Sequence, residues 1–125
     1  MTTYYVSSSN KYNFIGLQES NKSISELQKI ILYTPSFCRD QLSISTTELK
    51  SYIVSGITLF TRNALNQITG LVNFDVNGST INILGICVPG YSQGIGSYLI
   101  NLVKKFAKAN NILKIKLTCY DSLKS

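Results

Sequence analysis

Apolar and polar residues alternate most clearly in the second half of the chain. Residues 57–61 and 67–76 alternate with a period of two, which predicts two β-strands. Asn77-Gly78 then predicts a type I′ hairpin, because that turn needs positive φ at both central positions. The returning strand, residues 80–88, is almost wholly apolar, which is typical of a strand covered on both faces. On the strand before the hairpin, the side chains predicted to share one face are Ile68, Val72, Phe74 and Val76.

Apolar residues three and four positions apart predict three helices. A capping box of the Ser-x-x-Glu form at residues 23–26 begins the first helix, which Pro35 ends. A second such box at residues 45–48 begins the next helix, which Gly56 ends. The longest helix is predicted over residues 94–110. Its apolar stripe consists of Ile95, Leu99, Leu102, Val103 and Phe106.

The order of elements predicts the fold class. Short strands are predicted at residues 3–6 and 12–17, before the helices, and at 112–119, after the last helix. Because a helix connects the last two strands, we expect that pair to be parallel. The sequence therefore predicts an α+β fold with a mixed, mostly antiparallel sheet, a parallel crossover pair and flanking helices. A length of 125 residues fits a single domain, residues 1–125.

The charge balance narrows the range of ligands and chemistry. Twelve Lys and Arg residues oppose six Asp and Glu residues, and the resulting net charge of +6 suits an anionic ligand such as nucleic acid. The chain contains no His, which excludes a His general base and removes a common zinc ligand, so we expect no metal.

Cysteine usage and hydropathy predict a cytoplasmic protein. Cys38, Cys87 and Cys119 are widely spaced and form no Cys-x-x-Cys pair, which favours a reducing, intracellular compartment over a disulfide scaffold. The first residues lack the basic and apolar regions of a signal peptide. The longest mostly apolar stretch, residues 81–88, is too short to cross a bilayer, so we expect no membrane association.

The segment before the longest helix carries the candidate chemistry. Gly94 and Gly96 stand where the main-chain N–H groups of a helix lack partners and the helix dipole is positive. Glycine lets a ligand approach this main chain closely, which favours a phosphate or diphosphate. The alternative is that both glycines only close a tight connection. The Gly-Lys-Ser/Thr of a P-loop is absent, and Leu99 stands where a dinucleotide fingerprint needs its third glycine.

Residues 88–100, Val-Pro-Gly-Tyr-Ser-Gln-Gly-Ile-Gly-Ser-Tyr-Leu-Ile, resemble the acetyl-coenzyme A binding segment of the GNAT superfamily of N-acetyltransferases. The family's pattern there is Arg/Gln-x-x-Gly-x-Gly/Ala after an apolar strand. Gly94 and Gly96 match the two small positions, and Gln93 lies where Lys or Gln is common. Tyr91 departs from the Arg or Gln of the first position. The predicted order of elements also resembles that of the family over nearly the whole chain.

The resemblance implies an acyl-CoA N-acyltransferase fold and an acetyltransferase that uses acetyl-CoA as its co-substrate. Main-chain N–H groups of residues 93–97 would hold the diphosphate, and the end of the preceding strand, residues 86–88, would bind the pantetheine arm. An N–H near Val88 would polarise the thioester carbonyl. The coenzyme-binding residues implied in this way are Ile86, Cys87, Val88, Tyr91, Ser92, Gln93, Gly94, Ile95, Gly96 and Ser97.

Catalysis also requires a group that takes a proton from the attacking amine. The family often uses a Glu on the strand before the loop, but residues 80–88 contain no carboxylate, and Cys87 is their only ionisable side chain. The remaining candidates are Tyr120, Asp121 and Cys87. Asp121 is equally well explained as a helix cap and Cys87 as a small core residue. For Asp75, a position near the cleft competes with the favoured interpretation as a solvated residue on a strand face.

Several alternatives stay open at the level of the sequence. The family continues with a helix and two strands that residues 1–125 do not include, so the chain is a fragment, a degenerate member, or one completed by a second copy pairing with its last strand. The acceptor amine is unidentified. A coenzyme A binding module without turnover competes with the enzyme, because a carboxylate is missing. A nucleic-acid binding domain is suggested by charge alone, without any of the usual motifs.

Overall fold

The computed structural model describes residues 2–9, 11–20, 24–33, 46–88 and 94–117. In chain order, the elements of these residues are β1 (Thr2–Ser7), β2 (Gln18–Glu19), α1 (Ile24–Tyr33), α2 (Thr46–Ser55), β3 (Ile57–Arg62), β4 (Ile68–Asn77), β5 (Thr80–Cys87), α3 (Ile95–Ala109) and β6 (Lys114–Leu117).

The six strands form one sheet in the order β2-β1-β3-β4-β5-β6. β5 and β6 are parallel, from Thr80 opposite Lys114 to Ile83 opposite Leu117, because α3 returns the chain to the starting end of the sheet. β1 and β2 are also parallel, whereas the three pairs between β1 and β5 are antiparallel. The predicted mixed sheet and its parallel crossover pair are confirmed.

The helices lie on both faces of the sheet, and each face has its own core. We call these faces the α3 face and the α1/α2 face. Burying one large aliphatic or aromatic side chain contributes about 1.5–3 kcal/mol, so both layers stabilise the sheet. The core of the α3 face contains Ile57, Leu59, Val72, Phe74, Ile81, Ile83, Leu99, Val103, Phe106 and Ala107. The core of the α1/α2 face contains Val6, Leu27, Ile31, Ile53, Phe60, Leu71 and Cys87.

Irregular pairing between β3 and β4 places Ile68 on the face of the sheet opposite to the predicted one. Thr61 lies opposite Gly70 but Arg62 lies opposite Ile68, so Thr69 is an extra residue that shifts the register. Ile68 therefore packs against the core of the α1/α2 face and not beside Val72. The prediction that Ile68 shares a face with Val72, Phe74 and Val76 is wrong, because one extra residue reverses the side-chain direction.

A second irregularity lies in β5. Asn73 pairs with Gly85 and Phe74 with Ile83, so Leu84 is the extra residue of a bulge. Before the bulge Ile83 belongs to the core of the α3 face, and after it Cys87 belongs to the core of the α1/α2 face. The apolar run of β5 thus supplies both faces in turn, and every second residue of the strand is only half-buried.

The predicted strand over residues 12–17 is wrong. Part of this segment packs on the α3 face as a loop, with the Phe14 ring stacked on Tyr5 at 3.8 Å between centroids. The main chain of Asn13 pairs with the side chain of Asn110, through N–H to Oδ1 at 2.8 Å and Nδ2 to C=O at 3.0 Å. In this part of the chain, the strand that pairs with β1 is Gln18–Glu19.

The predicted helices are confirmed within the described residues, although the capping residues Ser23 and Ser45 lie outside them. The predicted last strand, residues 112–119, is described as Lys114–Leu117: residues 112 and 113 precede it outside the strand, and residues 118 and 119 lie outside the described part. Among the described helices, none combines the length and apolar character that crossing a bilayer needs.

Candidate functional site

The first turn of α3 begins directly after a left-handed residue. Gly94 caps the helix with φ 88° and ψ −20°, a conformation that glycine adopts without the steric cost of a Cβ. Its carbonyl accepts the N–H of Tyr98 at 2.9 Å, which closes the first turn. The N–H groups of Ile95, Gly96 and Ser97 precede this bond and have no intrahelical acceptor. Since Gly94 has no side chain, no cap side chain binds them either.

The space around this turn is open on the side of Gly96. A Cβ placed on Gly96 would meet no other atom within 4 Å, and the same holds for Gly94. Ser97 is exposed, and no acidic residue lies in the first turn of the helix. The positive end of the helix dipole and three main-chain donors therefore lie beside the free space at Gly96, and a helix terminus of this kind binds phosphate groups.

A glycine on β4 determines how closely α3 approaches the sheet. A Cβ on Gly70 would lie 2.7 Å from Cγ2 of Ile95, 3.3 Å from Cδ1 of Leu99 and 3.4 Å from the carbonyl oxygen of Cys87. Gly70 thus leaves room for the first turn of α3 against the ends of β4 and β5. The sequence alone does not predict this role of Gly70, because a glycine inside an alternating strand indicates a close approach without identifying what approaches it.

Hydrogen bonds fix both ends of α3 to the N-terminal part of the chain. In the first turn, the Tyr98 hydroxyl lies 3.0 Å from Oγ1 of Thr3, a buried residue of β1. At the other end, the side chain of Asn110 pairs with the main chain of Asn13. These bonds hold the open first turn in place relative to the sheet.

The predicted residues before the loop lie at the end of β5. Ile86 is half-buried against the core of the α3 face, and Val88 is half-buried. Cys87 is fully buried in the core of the α1/α2 face, which supports its interpretation as a core residue rather than as a catalytic thiol. Only its main chain is oriented along the edge that leads to α3.

The structure brings part of the predicted set together. Val88 and the first turn of α3, with Gly94, Ile95, Gly96 and Ser97, flank the same connection. Five predicted residues lie outside the described part of the chain, namely Tyr91, Ser92 and Gln93 in the loop and Tyr120 and Asp121 after β6.

Carboxylates near the sheet differ in their surroundings. Glu26 forms an ion pair with Arg62, with 3.3 Å between Oε1 and the guanidinium nitrogen. Glu19 on β2 accepts a bond from the Tyr5 hydroxyl at 3.4 Å. Burial, and then the charge and hydrogen bond of Glu19, raise the pKa of Tyr5 above its usual value of 10.0.

Asp75 on β4 is half-buried and not the fully solvated residue that the sequence suggested. Its Oδ1 accepts a hydrogen bond from Nδ2 of Asn82 at 3.1 Å, across the pair that the two residues form between β4 and β5.

Solved structures of acetyltransferases share this fold. A ribosomal-protein-alanine N-acetyltransferase from Brucella melitensis biovar Abortus matches with a TM-score of 0.64 and 14% identity, over 82% of this chain and 80% of that one. A GNAT-family acetyltransferase from Staphylococcus aureus matches with a TM-score of 0.61 and 21% identity, over 82% and 71% of the two chains. Another from Staphylococcus aureus subsp. aureus matches with a TM-score of 0.59 and 18% identity, over 100% and 92%.

No protein-family model and no curated protein matches the sequence. The likeness therefore rests on three-dimensional structure, where a common arrangement of elements persists at identities that sequence comparison does not detect. The described part of the chain has the fold of the GNAT-family acetyltransferases, as the resemblance of residues 88–100 predicted.

Proposed function

We propose that the protein binds acetyl-CoA at the first turn of α3 and transfers the acetyl group to an amine. The observation that carries the proposal is the open helix N-terminus, with Gly94 in the left-handed region and free space at Gly96. Such a terminus supplies main-chain donors and a positive dipole to a diphosphate without needing a basic side chain. The departure of Tyr91 from the family's Arg or Gln leaves these donors unchanged.

Each end of the β5–α3 connection has its own task in this proposal. The N–H groups of Ile95, Gly96 and Ser97, with Tyr91, Ser92 and Gln93 completing the loop, bind the diphosphate. The main chain of residues 86–88 binds the pantetheine arm. An N–H near Val88 polarises the thioester carbonyl and stabilises the oxyanion that forms when the amine attacks. The co-substrate supplies the activated acyl group, so the protein orients the reactants and moves protons.

The acceptor is assigned to the class of primary amines. The Brucella neighbour is named for transfer to an alanine of a ribosomal protein, which is an amine acceptor of this class. A neutral primary amine attacks the thioester carbon and the C–N bond forms. The C–S bond breaks as the thiolate leaves with its electron pair, and the surplus N–H proton of the amine passes to the thiolate.

Calorimetric titration with acetyl-CoA tests the binding site. We expect saturable binding to the wild-type chain, and a loss of affinity of at least tenfold, or about 1.4 kcal/mol, for Gly96→Glu. The new carboxylate occupies the open volume and repels the diphosphate. Asn101→Glu is the matched control, because it adds the same charge at an exposed position further along α3.

Gly96→Ala separates binding from stability. A Cβ at Gly96 meets nothing in the protein, and alanine favours a helix over glycine by up to about 1 kcal/mol. We therefore expect unfolding at the same or a higher temperature together with weaker acetyl-CoA binding. Absence of any heat of binding or thermal stabilisation by acetyl-CoA for the wild-type chain would refute the proposed function. Binding without thiol release toward any amine would instead identify a coenzyme A binding module.

A further inference from the structure

A small apolar slot lies between the loop of residues 13–17 and the C-terminal half of α3. Its volume is about 150 Å³. Two polar residues, Asn13 and Lys105, line the slot together with six apolar ones. The apolar residues are Phe14, Ile15, Leu17, Leu102, Phe106 and Ala109. A mostly apolar lining with a small number of polar groups is typical of sites that bind small organic molecules.

The slot is separate from the turn at which we propose that acetyl-CoA binds. Gly96 lies in the first turn of α3, and Phe106 follows it in the second half of the helix. At a rise of about 1.5 Å per residue, the two residues are about 15 Å apart along the helix axis. A molecule in the slot and the coenzyme can therefore bind at the same time.

Hydrogen bonds hold the loop that forms one wall of the slot. The main chain of Asn13 donates to Oδ1 of Asn110 at 2.8 Å and accepts a bond from its Nδ2 at 3.0 Å. The N–H of Leu17 donates to the carbonyl of Phe14 at 3.4 Å, across a turn in which Gly16 has φ 78°. Glycine favours such a turn, because its third residue needs positive φ. The loop is thus held at both ends, and a ligand does not have to order it.

Aromatic rings form the inner wall of the slot. The Phe14 ring is stacked on Tyr5 with 3.8 Å between centroids and lies 5.3 Å from Phe106 at an angle of 37°. On its other side, Phe106 lies 5.2 Å from Phe74 at an angle of 62°. Tilted pairs of this kind are favoured between aromatic rings. Because Phe14 and Phe106 line the slot, a further ring that enters it extends an existing aromatic cluster.

The volume of the slot matches one six-membered ring. An apolar cavity of about 150 Å³ inside a protein binds benzene. This slot has a similar volume but is open at its rim, where Ile15 is 72% exposed. A ring that covers this side chain removes apolar surface from water, which favours binding. The open rim also leaves room for one polar substituent on the ring.

The charge at the rim selects that substituent. Lys105 is exposed and forms no ion pair within the described part of the chain. No acidic side chain is among the described residues that line the slot. Residues 95–109 of α3 carry two further lysines, Lys104 and Lys108, and no acidic residue. A hydrogen bond from an ammonium group to a carboxylate is stronger than one to a neutral group, so this rim favours a carboxylate.

We infer that the slot is a binding site for a small aromatic carboxylate, whose ring lies against Phe14 and Phe106 and whose carboxylate is bound by Lys105. The side-chain amide of Asn13 supplies further N–H donors at the same site. This site goes beyond the proposed function and does not depend on it. A ligand that contacts both the loop and α3 stabilises the folded chain according to its affinity and concentration.

Titration of the full chain with benzoate, followed by methyl NMR, tests the inference. We expect saturable shifts of the Ile15 and Leu102 methyl resonances, with a Kd of about 1 mM or tighter for a ligand of this size. The unfolding temperature should rise with the benzoate concentration. Acetate, which lacks the ring, should shift neither methyl resonance at the same concentrations. Benzyl alcohol, which keeps the ring and lacks the charge, should bind about threefold more weakly or worse.

Two variants separate the contribution of the ring from that of the charge. Ala109→Leu places a larger side chain in the slot and keeps a residue that favours a helix, so the benzoate Kd should rise about tenfold or more. Lys105→Gln should raise the benzoate Kd about threefold, as for loss of an exposed ion pair, and leave that of benzyl alcohol unchanged. Lys104→Gln is the matched control, because it removes the same charge at an exposed position that does not line the slot.

Four results would overturn the inference. The first is the absence of any saturable shift of Ile15 and Leu102 with benzoate. The second is equal affinity for benzoate and benzyl alcohol, and the third is an equal rise of Kd in Lys104→Gln and Lys105→Gln, which would indicate net charge alone. The fourth is an Ala109→Leu chain that unfolds at the wild-type temperature and binds benzoate as tightly as wild type. If Ala109→Leu does not fold, the comparison of the two lysine variants decides.

Discussion

Gly70 determines how closely α3 packs against the sheet. Its replacement by alanine gives the sharpest test of how the first turn of α3 is positioned. The added methyl would lie 2.7 Å from Cγ2 of Ile95, closer than two carbon atoms approach without repulsion. Ile95 cannot easily turn away, since a β-branched side chain in a helix has one strongly preferred rotamer. The carbonyl of Cys87, at 3.4 Å on the other side, limits movement of the methyl group itself.

The expected cost follows from two opposing effects. Overpacking in a well-filled contact costs typically about 1–3 kcal/mol. Alanine recovers about 0.5–1 kcal/mol, because glycine loses more conformational freedom in a strand. The difference between the two effects is centred near 1 kcal/mol and reaches about 2.5 kcal/mol. Because the 2.7 Å approach to Ile95 is severe, we expect Gly70→Ala to lower the free energy of unfolding by about 1–2 kcal/mol. At an m-value near 2 kcal/mol/M, this moves the midpoint of urea unfolding down by about 0.5–1 M.

A double-mutant cycle assigns this loss to the contact with α3. Ile95→Ala removes the methyl group that the new Cβ would meet, so it should cost less in the Gly70→Ala background than in wild type, with a coupling energy of about 1 kcal/mol. Acetyl-CoA binding should weaken in Gly70→Ala and recover in part in the double variant. Two results would show that Gly70 does not determine the packing of α3. One is an equal effect of Ile95→Ala in both backgrounds, and the other is a Gly70→Ala chain as stable as wild type.

Two further predictions concern groups away from α3. Thr58→Val removes the short bond to Asn73 Nδ2 and leaves that nitrogen only a 3.4 Å contact, so we expect a loss of about 1–3 kcal/mol in thermal unfolding, against little change for Thr2→Val at an exposed site of β1. The pKa of Tyr5 is raised, so an absorbance titration should find one tyrosine ionising above pH 10.0, and Glu19→Gln should lower that pKa. Because the unfolded chain then ionises first, the contribution of Tyr5 to stability should fall as pH rises above 10.0. A transition at the usual pKa would contradict this.

The sequence predicted the fold where local signals and tertiary packing agree. The hairpin between β4 and β5 and the apolar stripe of α3 depend on neighbouring residues, and both are present in the structure. The predicted type I′ turn at Asn77-Gly78 is wrong, because Asn77 pairs with Thr80 at the end of β4 and only Gly78 has positive φ, so the two turn residues are Gly78 and Ser79. The crossover after β5 then constrains β6 to be parallel. For the site, glycines before an amphipathic helix indicated an open helix terminus, and Gly94 has the positive φ that such a connection needs.

The errors occur where distant residues decide the outcome. Residues 12–17 carry the aromatic and branched side chains that favour a strand, but Asn110 satisfies the main chain of Asn13 from another element. Thr69 and Leu84 reverse side-chain directions through bulges that no local signal marks. Asp75 looked solvated because its partner, Asn82, is reached only after the hairpin has set the register.

The hydrogen bonds that fix the two ends of α3, Thr3–Tyr98 and Asn13–Asn110, have a consequence for how the chain folds. Thr3 and Tyr98 are 95 positions apart in sequence, and Asn13 and Asn110 are 97 apart. Contacts of such long range form late, since the loop they close must first lose most of its freedom. During synthesis, Thr3 and Asn13 therefore lack these partners until Tyr98 and Asn110 have emerged. The first turn of α3, where we propose that acetyl-CoA binds, is therefore held in place only after Tyr98 has reached Thr3.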